Sequence, residues 1–485
     1  MKTYEKYKKT NQIWLNLLPE HWESRKIKYL FSERSEKGFQ NEQLLVSSQS
    51  MGVVPKTVYG NRTVEAQKDL HLLKLVKKGD FVISLRSFQG GIEYAYYQGI
   101  ISPAYTIMIN NGDIEPAYFR YLAKSQRFIE LLQMCVTGIR EGQNIDYRKL
   151  KNYSIPVPPR TEQDQIVRFL DWKVSCINKL IATKKKQIVF LGDLKKAVIT
   201  QAVTKGIRKT PSVSLSAASS ATRSHPVARL HAAIPGGSPT AKLGEHPIVS
   251  STKIFPQEVG ESGFGKAKDD RGLIYKQLKY SGIQWIGDIP SHWKVQKVKH
   301  FMIIEHGSDP VKEGNIPVYG SGSSTFKTCG EYKVGPAVLL GRKGSINNPQ
   351  FIEGLYWNVD TAFNAYPCND LFDIKYFYYL STCFDYDYYT TQTAIPSMRQ
   401  TDYKNIFIPY PPIEEQKEIV SYLDKNCKKI DLETQKIESI IETLKALKTR
   451  LISDVVTGKI DVRDKEIPEY EFVAEEQTES STDTE

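Results

Sequence analysis

Ile155-Pro156-Val157-Pro158-Pro159-Arg160-Thr161-Glu162-Gln163 recurs 253 residues later as Ile408-Pro409-Tyr410-Pro411-Pro412-Ile413-Glu414-Glu415-Gln416. The match continues through Ile166-Val167 and Leu170-Asp171 to Ile419-Val420 and Leu423-Asp424. It resumes without a gap at Ile199 and Val203-Thr204 against Ile452 and Val456-Thr457. A second echo lies upstream, at an offset of 271. Pro19-Glu20-His21-Trp22 with Lys26-Ile27-Lys28 returns as Pro290-Ser291-His292-Trp293 with Lys297-Val298-Lys299, and Trp14 matches Trp285. Repeats of this kind mean one structural plan written twice. Each copy has a short Trp-bearing lead-in, a variable region and a helical segment. The variable regions barely resemble each other, and the first is longer by 18 residues.

The helical segments are the most legible part. Pro158-Pro159 stops the preceding strand, and Thr161-Glu162-Gln163 opens a helix with cap-forming and acidic residues. Apolar residues then fall at Leu170, Val174, Ile177, Ile181, Ile188, Leu191 and Val198, with Lys184 and Lys195 as breaks. The second copy carries Leu423, Cys427, Ile430, Ile437, Ile441, Leu444 and Leu451, with Thr434 and Lys448 as breaks. Steps of three and four make a coiled-coil seam. From Ile166 to Val203 such a helix spans about 57 Å at ~1.5 Å per residue. A seam this narrow suits a partner helix, so the two helices are expected to pack on each other. The competing reading packs each against its own globular domain.

The chain has 485 residues and a formal net charge of +11. Its last 25 residues, Asp461 to Glu485, hold ten acidic side chains against Arg463 and Lys465, a net of −8, so the preceding 460 carry +19. So basic a body suggests a polyanionic partner, with solubility alone as the alternative. Six cysteines without a CxxC pair argue against a disulfide scaffold and a zinc cluster. No signal peptide or membrane-length apolar run is present, so a cytoplasmic setting is expected. From Thr210-Pro211 to about Lys268 the sequence is rich in Ser, Ala, Gly and Pro without a period, and reads as a flexible linker.

Catalytic motifs fail. Gly260 to Lys266 has phosphate-loop spacing, but Ala267 stands where Ser or Thr must hold magnesium, and no apolar strand precedes it. Asn347-Asn348-Pro349-Gln350 lacks the aromatic residue of an amino-methyltransferase signature. No GxSxG or HExxH occurs. His21 and His292, at equivalent points beside tryptophans, read as structural.

The variable regions read as binding surfaces. Gly79 to Arg86 is a turn, a buried strand and a polar end, followed by the loop Ser87-Phe88-Gln89-Gly90-Gly91. Gly99 to Tyr105 leads to a strand from Thr106 to Ile109. In the second copy, Ile316 to Tyr319 leads to the loop Gly320-Ser321-Gly322-Ser323-Ser324, and Ala337 to Leu340 runs into Gly341-Arg342-Lys343-Gly344-Ser345. Arg, Lys, Ser and Gln on glycine-flanked loops at strand ends suit phosphate and base-edge contacts. They also suit plain solvated loops.

This frame resembles the specificity subunit of type I restriction-modification systems. The resemblance is carried by Leu18 to Trp22, Trp285 to Trp293, the two Ile-Pro-x-Pro-Pro-x-x-Glu-Gln segments, and the helices ending in Val203-Thr204 and Val456-Thr457-Gly458. Phe81 to Tyr105 is similar to one common type of target-recognition domain, and Ile316 to Phe363 to another. The long linker departs from the family pattern. The resemblance implies an α+β chain: two globular target-recognition domains separated by two long antiparallel coiled-coil spacer helices, in an internal pseudo-twofold repeat. The expected layout is a first recognition domain over 1–160, a spacer helix over 161–208 and a flexible linker over 209–270. A second recognition domain over 271–412, a second spacer helix over 413–460 and an acidic disordered tail over 461–485 follow.

The resemblance further implies a subunit without catalysis that binds a split sequence in double-stranded DNA, one half per domain, while the helices set the gap. Two modification (methyltransferase) subunits are expected partners, and two ATP-dependent restriction subunits are optional ones. The cofactors S-adenosylmethionine, ATP and magnesium would belong to those subunits, and no metal or membrane is expected for this chain. Candidate DNA contacts are Arg86, Gln89, Tyr105, Arg140, Gln143 and Asn144 in the first domain. In the second they are Ser323, Lys327, Arg342, Lys343, Ser345, Arg399 and Gln400. A stand-alone DNA-modifying enzyme and a protein-interaction scaffold are the rival readings.

Overall fold

The computed structural model describes residues 2–59, 69–137, 144–207, 277–322, 325–390 and 395–474. The chain divides into two units, Met1–Asp193 with Lys429–Glu485, and Leu194–Lys428. The two longest described helices are α1 (Arg160–Lys205) and α2 (Ile413–Val456). At ~1.5 Å per residue, α1 is roughly 69 Å long. Each begins within a residue of the Pro-Pro pair, which lacks the amide hydrogens to extend the strand. The expected linker of 209–270 and the Gly260–Lys266 segment lie outside the described residues.

The first unit is built on an antiparallel sheet of β1 (Phe31–Arg34), β2 (Phe81–Ile83), β3 (Glu93–Tyr94) and β4 (Thr106–Asn110), in the order β1-β4-β2-β3. The second unit has β5 (Met302–His306), β6 (Ala337–Gly341), β7 (Gln350–Ile352) and β8 (Ala362–Pro367), in the order β5-β8-β6-β7. The two dissimilar variable regions thus share one sheet order. The segment Ser87–Gly90, expected as loop, is a single helical turn. Ser87 causes this, because its Oγ accepts from the Ser84 amide at 2.8 Å and its carbonyl accepts from the Gly91 amide.

The repeated residues of the sequence are the joints of each unit. In the first unit, His21 Nε2 meets Glu162 Oε2 at 2.8 Å, and in the second, His292 Nε2 meets Glu415 Oε2 at 2.8 Å. These histidines hold a carboxylate of the helix's first turn. Gln163 accepts from the Glu115 amide at 2.7 Å and donates to Pro158 O at 2.8 Å. Gln416 likewise accepts from the Asp373 amide at 2.8 Å and donates to Pro411 O at 2.9 Å. Each amide pins the turn before the long helix to the start of a short helix, Pro116–Ala123 or Ile374–Ser381. Tyr121 donates to Asp171 at 2.6 Å, and Tyr379 to Asp424 at 2.7 Å. Burial raises both phenols' pKa values, so each remains a donor.

The expected helix seam is only partly continuous. Within the first unit the helices run antiparallel, with Asn178 facing Lys448, and Ile181 packs with Ile437 and Ile441 in a cluster joined by Ile177, Ile188, Leu191 and Leu444. Leu170 and Leu451 instead enter the globular core of the first unit, beside Trp14 and Trp22. Leu423 and Cys427 enter that of the second, where Val198 also packs with Ile199 and Val203 beside Trp293. Val174 and Ile430 are half-buried. Helix ends are therefore core elements, because burial in these clusters takes their apolar side chains out of water. Lys448, read as a seam break, is buried at 8% exposure with its ammonium 3.4 Å from Asn178 Oδ1.

The acidic segment after α2 also differs from expectation over residues 461–474, while residues 475–485 lie outside the described residues. Gly458 turns the chain at φ +77°, where an added Cβ would stand 2.5 Å from the Pro19 ring. Residues 461–474 then lie on the first unit rather than free. Gln165 donates to the carbonyls of Val462 and Lys465, Ser175 Oγ accepts from the Val473 amide, and Asn178 Nδ2 donates to Val473 O at 3.0 Å. Ile467 adds apolar contact. Net charge overestimated disorder because Val462, Ile467 and Val473 supply burial and backbone partners along the segment. Among the described residues, no helix is long and apolar enough to cross a membrane.

Candidate nucleic-acid interface

In the first unit, the pairing of Thr106 with Ile83 sets Tyr105 beside Ser84 at one sheet end. The Ser87–Gly90 turn starts there, so Arg86 and Gln89 project as exposed side chains from the same end. Asn144, also exposed, lies on the strand Asn144–Ile145, which packs against this turn. Its Oδ1 accepts from the Ile145 amide at 2.8 Å. Tyr105 is half-buried, packs on the cluster of Leu45, Val53 and Val76, and accepts from Lys74 through its carbonyl at 2.7 Å. Arg140 and Gln143 lie outside the described residues.

Close approach holds this edge together. Gly91 has φ +91°, and an added Cβ would stand 2.2 Å from Ala123 O, so only glycine fits. The exposed Gln49, not singled out from the sequence, lies against Gly90. Its carbonyl accepts from Lys124 at 3.1 Å, and the same ammonium pairs with buried Glu93. Burial pushes the Glu93 carboxyl up to about 7, against the pull of Lys124. Ser47-Ser48-Gln49-Ser50, a polar turn between apolar runs, was the available signal for Gln49.

In the second unit three loops meet. The amides of Arg342 and Lys343 donate to Thr361 O, the Gly344 amide to Pro396 O, and the Met398 amide to Arg342 O. The Ser321 amide donates to Thr361 Oγ1 at 3.3 Å. This lacing presents Lys343 and Ser345 as exposed side chains. Arg342 donates to Asp360 Oδ2 at 3.0 Å, and the exposed Arg399 is held by Asp402 at 3.0 Å, which keeps its guanidinium charged. Lys327 is exposed on the strand Lys327–Cys329. Gln400 is half-buried and donates to Ile304 O at 2.6 Å, so its amide holds the fold. Ser323 lies outside the described residues. Arg342, Lys343, Ser345 and Arg399 thus converge. Both arginines are paired with carboxylates, Asp360 and Asp402.

The edges hold exposed cations and amides, and among the described residues no group of three or more His, Cys, Asp or Glu could hold a metal ion. Such surfaces bind polyanions by charge and hydrogen bonds.

The family model described as the type I restriction modification DNA specificity domain matches residues 19–189 and 290–442, more than half of the chain. The chain is similar to the MjaX specificity subunit of a type I restriction enzyme from Methanocaldococcus jannaschii, 24% identical over 481 residues, covering 95% of this chain and 97% of that one. It is also similar to the MjaVIII specificity subunit of the same organism, 24% identical over 407 residues, covering 80% and 81%. A solved chain from work on the assembly and conformational transition of the type I R-M system aligns with a TM-score of 0.58 at 14% identity, covering 91% of this chain and 99% of that one. That last likeness bears on the fold alone.

Proposed function

The chain belongs to the type I restriction-modification DNA specificity family and is a specificity subunit, and from that premise we propose that it reads a split sequence in duplex DNA, one half with each unit's loop edge. The observation that carries this reading is the pairing of a repeated frame with unlike loop edges. His21/Glu162 and His292/Glu415 are the same joint, whereas Arg86-Ser87-Phe88-Gln89 and Arg342-Lys343-Gly344-Ser345 are different chemistry on the same sheet end. A reader of two half-sites needs a constant frame and two different readers.

In this reading the long helices set the gap between the half-sites and dock two methyltransferase subunits, with restriction subunits as further partners. One helical turn added to each helix lengthens them by ~5.4 Å, between one and two base-pair rises of ~3.4 Å. S-adenosylmethionine, ATP and magnesium belong to the partners, and this chain contributes recognition without catalysis in the cytoplasm. Mapping methylated adenines in cells holding the chain and its modification subunit, with and without Arg342→Ala, tests the proposal. The expected result is a bipartite site whose second half alone relaxes. Both halves changing together, or an unsplit site, overturns it.

A further inference from the structure

Phe326 is 59% exposed, although Phe is a residue that folding ordinarily buries. It lies where the loops of the second unit meet. Its Cε1 stands 3.6 Å from the position a Cβ on Gly320 would take, and Thr361 Oγ1 stands 2.9 Å from that same position. Thr361 is the residue that receives the Arg342 and Lys343 amides and the Ser321 amide. Ser321 Oγ lies 3.4 Å from where a Cβ on Gly344 would be. The Lys327 ammonium stands 5.6 Å from the Phe326 ring centroid. An exposed aromatic face therefore lies close to a loop that carries exposed Lys343 and Ser345.

Phosphates are met by cations, and a flat apolar ring offers them nothing. A nucleobase face, by contrast, stacks on it, and apolar side chains enter base steps in just this manner. Lys327 and Lys343 supply the charge that draws the backbone alongside. Resting on the DNA reading above, we propose that Phe326 is a DNA-contact residue that inserts at a base step of the second half-site and stacks there, between the phosphate contacts of Lys327 and Lys343.

The test uses the full chain assembled with its modification subunits and a duplex carrying the methylated site mapped in cells. Phe326→Ala is expected to weaken binding to that duplex roughly 10- to 100-fold, the range of one lost base stack, with the salt dependence unchanged. Phe326→Trp, which keeps a stacking face, is expected to stay within about threefold of the parent, which also shows that the loop still folds. Lys343→Ala is expected to give the opposite pattern, a salt slope reduced by about one. Phe326→Ala binding within about twofold of the parent, or Phe326→Trp failing as badly as alanine, overturns the stacking role and leaves the DNA reading standing. A parent complex that shows no preference for the mapped duplex overturns both.

Discussion

Tyr118 donates its phenol hydrogen to the carbonyl of Val456 at 2.9 Å, and 338 residues separate the two. Tyr376 makes the matching bond to Val203 O at 3.0 Å. In each unit the tyrosine of a short helix thus caps a carbonyl at the end of the long helix from the other copy. Both phenols are fully buried, which holds their pKa values well above the ordinary range and keeps them donors.

Tyr118→Phe is therefore expected to destabilise the first unit by about 1–2 kcal/mol, the cost of leaving a buried helix-end carbonyl with one partner fewer. Tyr376→Phe is expected to do the same in the second unit. Urea unfolding midpoints at constant slope measure both. An unchanged midpoint contradicts the capping role.

Gln163 and Gln416 each tie a Pro-Pro turn to the N-cap residue of a short helix. Gln163→Leu keeps the volume and removes both bonds. The expected loss is about 2–3 kcal/mol, because the partners are desolvated. Glu is a poorer substitute than its shape suggests, since it accepts from the Glu115 amide but has no hydrogen for Pro158 O. Thermal unfolding of the two variants separates loss of the donor alone from loss of both bonds.

Asn178 serves two partners, donating to Val473 O and accepting from Lys448. Asn178→Ala is expected to free residues 462–474 for protease attack while costing about 2 kcal/mol. Limited proteolysis followed by mass measurement reads the effect. Equal cleavage rates at that segment in parent and variant argue against the clamp.

Glu93 sets a pH dependence. Its pKa in the folded chain is raised from 4.5 to about 7, so folding favours the protonated form. Stability from this group is greatest below pH ~4.5 and falls as pH rises toward ~7, levelling off above. Glu93→Gln is expected to flatten that part of the profile. Melting temperatures of parent and variant between pH 5 and 8 provide the comparison. Parallel profiles contradict the assignment.

The order of elements, the doubling and the two long helices could be read from the sequence. Pro-Pro followed by Glu-Gln is a local stop-and-start signal, and seam periodicity needs no tertiary context. The His, Gln and Asp joints announced themselves only as repetition, since nothing local says what a repeated glutamine touches. The strand-end loop that carries Arg342, Lys343 and Ser345 was legible because a glycine-flanked stretch after an apolar run is a local pattern. The places of Phe326 and Gln49 were not, because Gln49 lies against Gly90, distant in sequence, and Phe326 lies beside Gly320, whose other neighbours are Val359 and Thr361.

What the sequence determined by itself was a frame written twice with different contents, for that rests on spacing and periodicity along the chain. Tertiary structure alone decided that the helix ends are core elements, that Lys448 is buried and that the acidic segment to residue 474 lies packed. Each of these depends on which apolar surface and which backbone donors stand opposite, and burial energy is fixed by partners that sequence proximity does not specify.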